Sequence, residues 1–469
     1  MSTQIAWFRS DLRLADNPLV RFATPPEQLL CIYVLDECWL TTIAATGKPR
    51  IGPARLRFLW ECLIELRGEL LKRGNDLLVR IGNPPEVVAE LAVTLGANTV
   101  RVRRDAGDEE ARAVERLIER LAGHADVVSF DAGLLFDEVD LPTSVAALPS
   151  SFSAFRRRAE RQWALPAAEP APLTLPLWPR GAARGLPPLH EVCASSSAWR
   201  SDPRGQFDFE GGEVAGLARL DHYLWQTGAV ARYKMTRNGL RGADFSTRLS
   251  PWLAHGCLSA RQVHDAVRGW EAEQGACESS YWVIFELLWR EYFHWAGRQE
   301  GPALFGRCVL PSSGPAFTAW CQARTGVPFI DAAMLELALT GWLSNRARQN
   351  VASFLVKDLG VDWRLGAIWF EHCLVDFDAA SNWGNWRYVA GVGRDTRDRW
   401  FHVLRQAEQY DREGDYVAHW QPALRELPPG RGRHQPWRVA PQCFPVPQVV
   451  PAAWQDRLLT GDETRDIED

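Results

Sequence analysis

The sequence predicts an α/β domain followed by an all-helical domain, and three observations lead to this fold class. Over the first 130 residues, short apolar runs alternate with stretches of helical periodicity, which indicates a doubly wound parallel sheet. From about residue 140 to 205 the chain is rich in Pro, Ala, Ser and Gly, which is typical of a long linker. Beyond it the periodicity stays helical to about residue 425, with no convincing strand.

The predicted elements of the first domain follow one another in the order of a parallel sheet. Strands are expected at 4–8, 29–35, 76–82, 98–104 and 126–130. Helices are expected at 52–74, 84–96 and 108–123. Because each helix lies between two apolar strands, the crossovers bring parallel strands side by side. No GxGxxG motif follows the first strand, so a dinucleotide bound in the usual Rossmann manner is not expected.

Composition divides the chain into four parts. We expect the α/β domain over 1–135, the linker over 136–205, the helical domain over 206–425 and a Pro-rich, then acidic, C-terminal tail over 426–469. The linker is either an ordered segment that wraps between the domains or a partly mobile chain. The tail is expected to lie on the surface with a frayed end.

The overall composition excludes several classes of protein. A net charge of −5 argues against a polybasic nucleic-acid coat but leaves room for a local basic patch. No apolar run approaches the roughly 20 residues of a membrane span, and no signal peptide precedes the first strand, so a cytoplasmic protein is expected. Ten cysteines without a CxxC pair predict free thiols and no metal site. Twenty-two tryptophans indicate either an aromatic cofactor pocket or heavy use of Trp in helical cores.

The most informative segment, 341–388, predicts a buried polar site. Asn345, Arg348, Gln349 and Ala352 fall at i, i+3, i+4 and i+7, so they share one helix face. A buried guanidinium needs a carboxylate, and the nearest candidates are those of the DxD pair at 376 and 378. The surrounding tryptophans are Trp363, Trp369, Trp383 and Trp386. Such a pair among indoles suits a flat, polar-edged ligand such as a flavin, and the alternative is an ordinary buried ion-pair network.

A second segment, 231–259, has the residues of an anion site. Tyr233, Lys234 and Arg237 precede a hydroxyl cluster formed by Ser246, Thr247 and Ser250. Hydroxyls and free N–H groups at a helix start can hold a phosphate or pyrophosphate. The alternative is plain N-capping by Ser250.

A third segment, 279–297, places a carboxylate, an indole and a guanidinium on one helix face. These are Glu286, Trp289 and Arg290, with Phe293 beside them. They can line one pocket, or Glu286 and Arg290 can form a surface i,i+4 ion pair. We also expect Arg290, Arg237 and Lys234 to line a basic cavity mouth in an otherwise acidic protein.

Long motifs at 7–19, 46–61, 233–259, 285–293, 340–359, 362–371 and 382–393 resemble the photolyase/cryptochrome family, close to its DASH-type branch. The resemblance covers almost the whole chain. It implies a helical domain that holds FAD in a U-shaped conformation. It also implies a deoxyribodipyrimidine photo-lyase that cleaves cyclobutane pyrimidine dimers under blue light, mainly in single-stranded DNA. The alternative within the family is a sensory cryptochrome without significant repair activity, and in either case we expect a monomer.

The resemblance also implies roles for individual residues. FAD phosphate and ribityl contacts are assigned to Tyr233, Ser246, Thr247, Leu249 and Ser250. Arg348 and Asp376 form the ion pair beside the isoalloxazine, Asp378 lies near its polar edge, and Asn382 faces flavin N5. The DNA and lesion side is assigned to Glu286, Trp289, Asn345, Arg237, Arg290 and Tyr388. Trp386 and Trp363 are the inner and middle members of an electron-transfer chain. Glu109 and Glu110 match an acidic pair that binds a folate antenna, 5,10-methenyltetrahydrofolate, or they are simply the acidic first turn of a helix.

Two departures from the family pattern qualify these expectations. Tyr388 stands where photolyases that repair double strands usually have a second indole, and Gln349 also follows the DASH pattern, so repair in ordinary duplex is not expected. The outer tryptophan of the electron chain is absent, because residues 310–317 contain none. Trp369 or Trp320 can serve as the exit, or either can simply be core.

Overall fold

The parallel sheet forms as the sequence predicts. A computed structural model describes residues 2–162, 165–305, 310–394, 400–447 and 454. The sheet strands are β1 Thr3–Phe8, β2 Gln28–Asp36, β5 Leu78–Gly82, β6 Thr99–Arg103 and β7 Asp126–Phe130. They are all parallel in the order β5-β2-β1-β6-β7, so the order reverses beside β1 and the sheet is doubly wound. A short antiparallel hairpin joins β3 Thr42–Ile43 to β4 Lys48–Pro49.

Helices cover the sheet and form almost all of the second domain. Those of the first domain and linker are α1 Pro53–Lys72, α2 Pro84–Leu95, α3 Asp108–Arg120, α4 Phe152–Arg161, α5 Leu189–Val192 and α6 Ala194–Ala198. The next are α7 Glu213–Asp221, α8 Tyr233–Thr236, α9 Ser250–His255, α10 Ala260–Gln274, α11 Glu278–Glu300, α12 Pro315–Cys321 and α13 Pro328–Thr340. The last are α14 Asn345–Ser353, α15 Trp363–Cys373, α16 Ala379–Ala390, α17 Val403–Tyr410, α18 Asp415–Trp420 and α19 Arg431–His434.

The linker is ordered where the structure describes it. Helix α4 lies inside the segment that composition assigned to the linker. Further along, Leu177 forms an isolated parallel bridge to Gln28 and Gly185 forms one to Leu78, so the linker runs along the sheet. The ordered alternative therefore holds for the described part of this segment.

Buried carboxylates hold the two domains together. The carboxylate of Glu213 accepts the Leu14 N–H at 2.9 Å, and that of Glu291 accepts the Leu135 N–H at 2.8 Å. Gly256 has a φ of +71°, and a Cβ there would overlap the Ser10 carbonyl. Because such contacts satisfy buried polar groups on both sides, they fix the groove between the domains.

The described residues contain neither a metal site nor a membrane helix. The nine cysteines in this part are free, whereas Cys308 lies outside it. No group of three or more ligating side chains is found among the described residues. In the same residues, no helix has the length and apolarity needed to span a bilayer. Of the predicted tail, residues 426–447 and 454 are described, and they include α19. His434, Trp437 and Trp454 are buried, so this part packs into the domain and does not lie on the surface as expected.

Candidate functional site

A polar cavity lies between α14, α15 and α16 in the helical domain. It has a volume of about 590 Å³ including its open mouth. The four residues that the sequence placed on one helix face, Asn345, Arg348, Gln349 and Ala352, all line it. The loop that carries the DxD pair closes the opposite side, so the prediction of a shared polar site at 341–388 is correct in its geometry.

The Arg348–Asp376 ion pair is the centre of this cavity. Arg348 donates to the Asp376 carboxylate at 2.7 Å and to the Leu343 carbonyl at 3.0 Å. The Asp376 side chain is 1% exposed, whereas that of Arg348 is 25% exposed. The second oxygen of Asp376, Oδ1, is buried without a hydrogen-bond partner. Leaving a buried acceptor unpaired is costly, so this atom is a place where a ligand N–H would bind.

Asp378 pairs with a histidine that sequence reasoning missed. Its Oδ1 accepts the Ser381 N–H at 2.7 Å, which caps α16, and its Oδ2 lies 2.9 Å from Nε2 of His294. Burial opposes ionisation, but His294 and Arg290 hold the pKa of Asp378 well below its usual range. The two carboxylates of the DxD pair therefore have different partners: Asp376 binds Arg348, and Asp378 does not. His294 lies four residues after Arg290 on α11, which was the available signal.

Asn382 and Trp386 project from α16 into the cavity. The Asn382 amide donates to the Ala367 carbonyl at 3.0 Å, so its oxygen is the atom left for a ligand. Trp386 is 2% exposed and packs against Gly366, where a Cβ would overlap its ring. Both residues therefore hold fixed positions beside the same cavity as Asp376.

One indole in contact with Trp386 is Trp320, which the resemblance did not place next in the electron chain. The ring of Trp386 lies 6.3 Å from Trp320 and 5.0 Å from Phe370, between ring centroids. Trp363 instead contacts Trp383 at 5.6 Å. Trp320 is fully buried, while Trp369 is partly exposed and reaches it through Phe317.

The predicted hydroxyl cluster forms a loop that is supported from behind. The guanidinium of Arg219 donates to the carbonyls of Ser246 and Thr247, which turns the loop without using their hydroxyls. The capping alternative for Ser250 is wrong: it is the first residue of α9, and the cap position, Leu249, has no side-chain bond. Tyr233 is buried at the start of α8. These residues do not line the cavity around Asp376.

The predicted basic mouth does not form as expected. Arg237 pairs with Glu286 at 2.7 Å, and Lys234 pairs with Glu278. Arg290 donates to the carbonyls of Gly133 and Leu253 at 2.9 and 3.2 Å, which turns it toward the N-terminal domain. The i,i+4 pair of Glu286 with Arg290 is therefore also wrong, and assigning Arg290 to a DNA-facing surface does not fit its contacts.

Asn345 lines the polar cavity around Asp376, whereas two other lesion-side residues lie at a second cavity. Trp289 and Tyr388 line it, with their rings 5.9 Å apart in an edge-to-face arrangement. Phe152 from α4 stacks on Trp289 at 3.7 Å and 14°. Sequence reasoning missed Phe152 because it lies in the linker, where no periodicity connects it to α11. Glu286 lies one turn before Trp289, and burial raises its pKa although Arg237 opposes this.

A groove of about 1100 Å³, including open space, lies between the two domains and contains the predicted antenna residues. Arg50 binds Glu109 at 2.7 Å and Glu371 at 2.9 Å, so Glu109 is already paired. Burial raises the pKa of Glu110 to about 7. Both acids lie in the first turn of α3, as the structural alternative also requires. Glu110 is thus the acid better placed to accept from a ligand.

Family models, a curated relative and solved structures all match this chain to photolyases and cryptochromes. Residues 4–173 match DNA photolyase, and residues 282–449 match the FAD binding domain of DNA photolyase. A cryptochrome DASH of Gloeobacter violaceus is 42% identical over 94% of this chain and 89% of its own. The crystal structure of a Synechocystis cryptochrome superposes with a TM-score of 0.89 at 38% identity, covering 96% of this chain and 97% of that one. A bacterial class III photolyase from Agrobacterium tumefaciens superposes at 0.80 with 28% identity, covering 98% and 97%.

Proposed function

This chain belongs to the photolyase/cryptochrome family, among its DASH cryptochromes, and from that membership we propose that it is a light-driven repair enzyme. Its substrate is a cyclobutane pyrimidine dimer in single-stranded DNA. FAD, when bound and reduced, supplies the light-excited electron that splits the dimer. The cytoplasmic location and the monomeric state remain predictions from the sequence.

The residues around the polar cavity fit a flavin. The unpaired Oδ1 of Asp376 suits an imide N–H at the polar edge of the ring, and the ion pair with Arg348 holds that carboxylate in place. The free oxygen of Asn382 suits the N–H at flavin N5. A neutral amide there avoids the repulsion that a carboxylate would exert on an anionic reduced ring.

The position of α16 is the observation that carries the proposal. Trp386 on this helix lines the polar cavity, and Tyr388, two residues on, lines the aromatic cavity with Trp289. Residues two apart on a helix point to opposite sides, so α16 is the wall between the two cavities. One helix is about 10 Å thick, so a ligand in the polar cavity would lie only a short distance from a ligand in the aromatic cavity.

The aromatic cavity suits bases that have left the stack. Phe152 already stacks on Trp289, so the ring of Tyr388 and the edges of Trp289 offer the aromatic surface that an extruded base can contact. Glu286 is one turn away on α11, and we assign hydrogen bonding of the base carbonyls to its carboxyl group. Tyr388 offers less stacking area than an indole, so stacking on it offsets less of the free energy that is needed to extract bases from a duplex. This supports a preference for single strands.

The groove between the domains supports a second chromophore. We propose that it holds 5,10-methenyltetrahydrofolate, with Glu110 accepting from the pterin ring. Glu109 contributes less, because Arg50 already binds its carboxylate.

The competing function is a sensory DASH cryptochrome without significant repair. The names of the relatives favour it, since the curated match and the Synechocystis structure are called cryptochromes. The residues at Glu286, Trp289 and Tyr388 favour repair.

Illumination of the reduced protein distinguishes the two functions. A dimer-containing oligonucleotide is supplied in parallel as a single strand and as a duplex, and restored pyrimidines are counted against a dark control. We expect light-dependent repair of the single strand and little repair of the duplex. Absence of repair in both, by protein with full FAD content, would favour the sensory function.

A further inference from the structure

The helix α4 carries a row of free positive charges beside the aromatic cavity. Arg157, Arg158 and Arg161 are exposed, and none of them forms an ion pair with a residue that the structure describes. Arg157 and Arg161 are one turn apart, so they follow one line along the helix. In a chain with net charge −5, three unpaired cations in five residues form a distinct basic surface.

This surface is fixed against the predicted lesion side. Phe152, the first residue of α4, stacks on Trp289, and Phe155 is fully buried. One turn on, Arg156 donates to the Tyr281 hydroxyl at 2.7 Å and lies over the ring of Phe285. The helix therefore runs along α11 from the aromatic cavity outward, with its apolar face covered and its arginines in solvent.

The other positive side chains near the aromatic cavity already pair with carboxylates, so they are less available to bind a phosphate. Arg237 is neutralised by Glu286, and Lys234 by Glu278. Arg387 and Arg394, which line the aromatic cavity, share Glu300. A polyanion that enters the aromatic cavity would thus find unpaired positive charge along α4.

We propose that the exposed arginines of α4 bind the phosphates of the DNA strand on one side of the nucleotide at Trp289. This inference rests on the proposed function, because it names the path of the same substrate. Arginine suits phosphate through its fork of N–H donors. A lipid surface is disfavoured as the partner, since the apolar face of α4 is packed against α11 and is not free to insert.

The test compares two triple variants. One changes Arg157, Arg158 and Arg161 to Ala. The control changes Arg80, Arg116 and Arg412, which are also exposed and have no carboxylate partner among the described residues. Binding of a dimer-containing single strand is measured as a function of salt. Three lost phosphate contacts lower the slope of log affinity against log salt by about 2. We expect a loss of roughly 10- to 100-fold at 0.1 M salt in the first triple only.

Two oligonucleotides that extend on a single side of the dimer make the test directional. The α4 variant should lose affinity for only one of them, and repair at saturating DNA should stay near wild type. Three results would overturn the inference: equal DNA affinity of the two triple variants, equal losses with both oligonucleotides, or an α4 variant that loses binding to anionic vesicles and keeps its affinity for DNA. In each case the proposed function would still stand if the wild type repairs the dimer. A wild type that neither binds nor repairs the single strand would overturn both.

Discussion

The Arg348–Asp376 pair allows a prediction that separates stability from cofactor binding. Arg348→Ala leaves a carboxylate that is 1% exposed without its 2.7 Å partner, and such a loss costs about 3–5 kcal/mol of unfolding free energy. Asp376→Ala leaves a guanidinium that is 25% exposed and still bonded to the Leu343 carbonyl, so water screens it and we expect only about 1–2 kcal/mol. Both variants should weaken FAD binding by about 10- to 100-fold, because each disturbs a charge-assisted acceptor.

Denaturant unfolding of the apoprotein and titration with FAD measure the two effects independently. Asn385→Ala is the matched control, since Asn385 lines the same cavity but is exposed. Asn385→Ala should leave both the unfolding free energy and the affinity for FAD close to those of the wild type. Equal stability of Arg348→Ala and Asp376→Ala, together with wild-type FAD affinity in both, would refute the assignment of this cavity to the flavin.

Three further predictions concern the rest of the site. Burial raises the pKa of Glu110 to about 7, so the stability from its protonated form is full below its ordinary value of 4.5 and is lost as the pH rises through 7; Glu110→Gln should remove this part of the pH dependence of unfolding. If ring proximity decides the route, Trp320→Phe should slow photoreduction more than Trp363→Phe, measured by the flavin absorbance under blue light. Phe152→Ala removes the ring that stacks on Trp289 and should lower affinity for dimer-containing single strands several-fold, while undamaged strands bind as before.

Local sequence patterns were sufficient for the elements and for one face of the site. The parallel strands were predicted because each is an apolar run between Gly, Pro or charged residues, and the structure places them within two residues. The row at Asn345, Arg348, Gln349 and Ala352 followed from helical periodicity alone. Such features depend on neighbours in the chain, which the sequence contains.

Pairings between distant segments were not predictable in the same way. The sequence offered Asp376 and Asp378 as equal partners for Arg348, and only the packing of α11 against α16 gives Asp378 to His294. Arg290 was expected at a DNA-facing mouth, but its guanidinium donates hydrogen bonds to the carbonyls of Gly133 and Leu253 instead. Both outcomes depend on tertiary contacts that no periodicity encodes.

Glu286→Ala and Trp386→Phe together test the central claim most directly. The quantum yield of repair of a single-stranded dimer is measured for chemically reduced protein, beside photoreduction of the oxidised flavin. If Glu286 stabilises charge on the dimer, its loss should lower the repair yield and leave photoreduction intact, whereas Trp386→Phe should block photoreduction and leave repair nearly unchanged. A thermal rate would fall by about 10²–10³ without such a group, and the yield falls less because the electron step competes with excited-state decay. Repair undiminished by Glu286→Ala, or absent in the reduced wild type, would contradict the account.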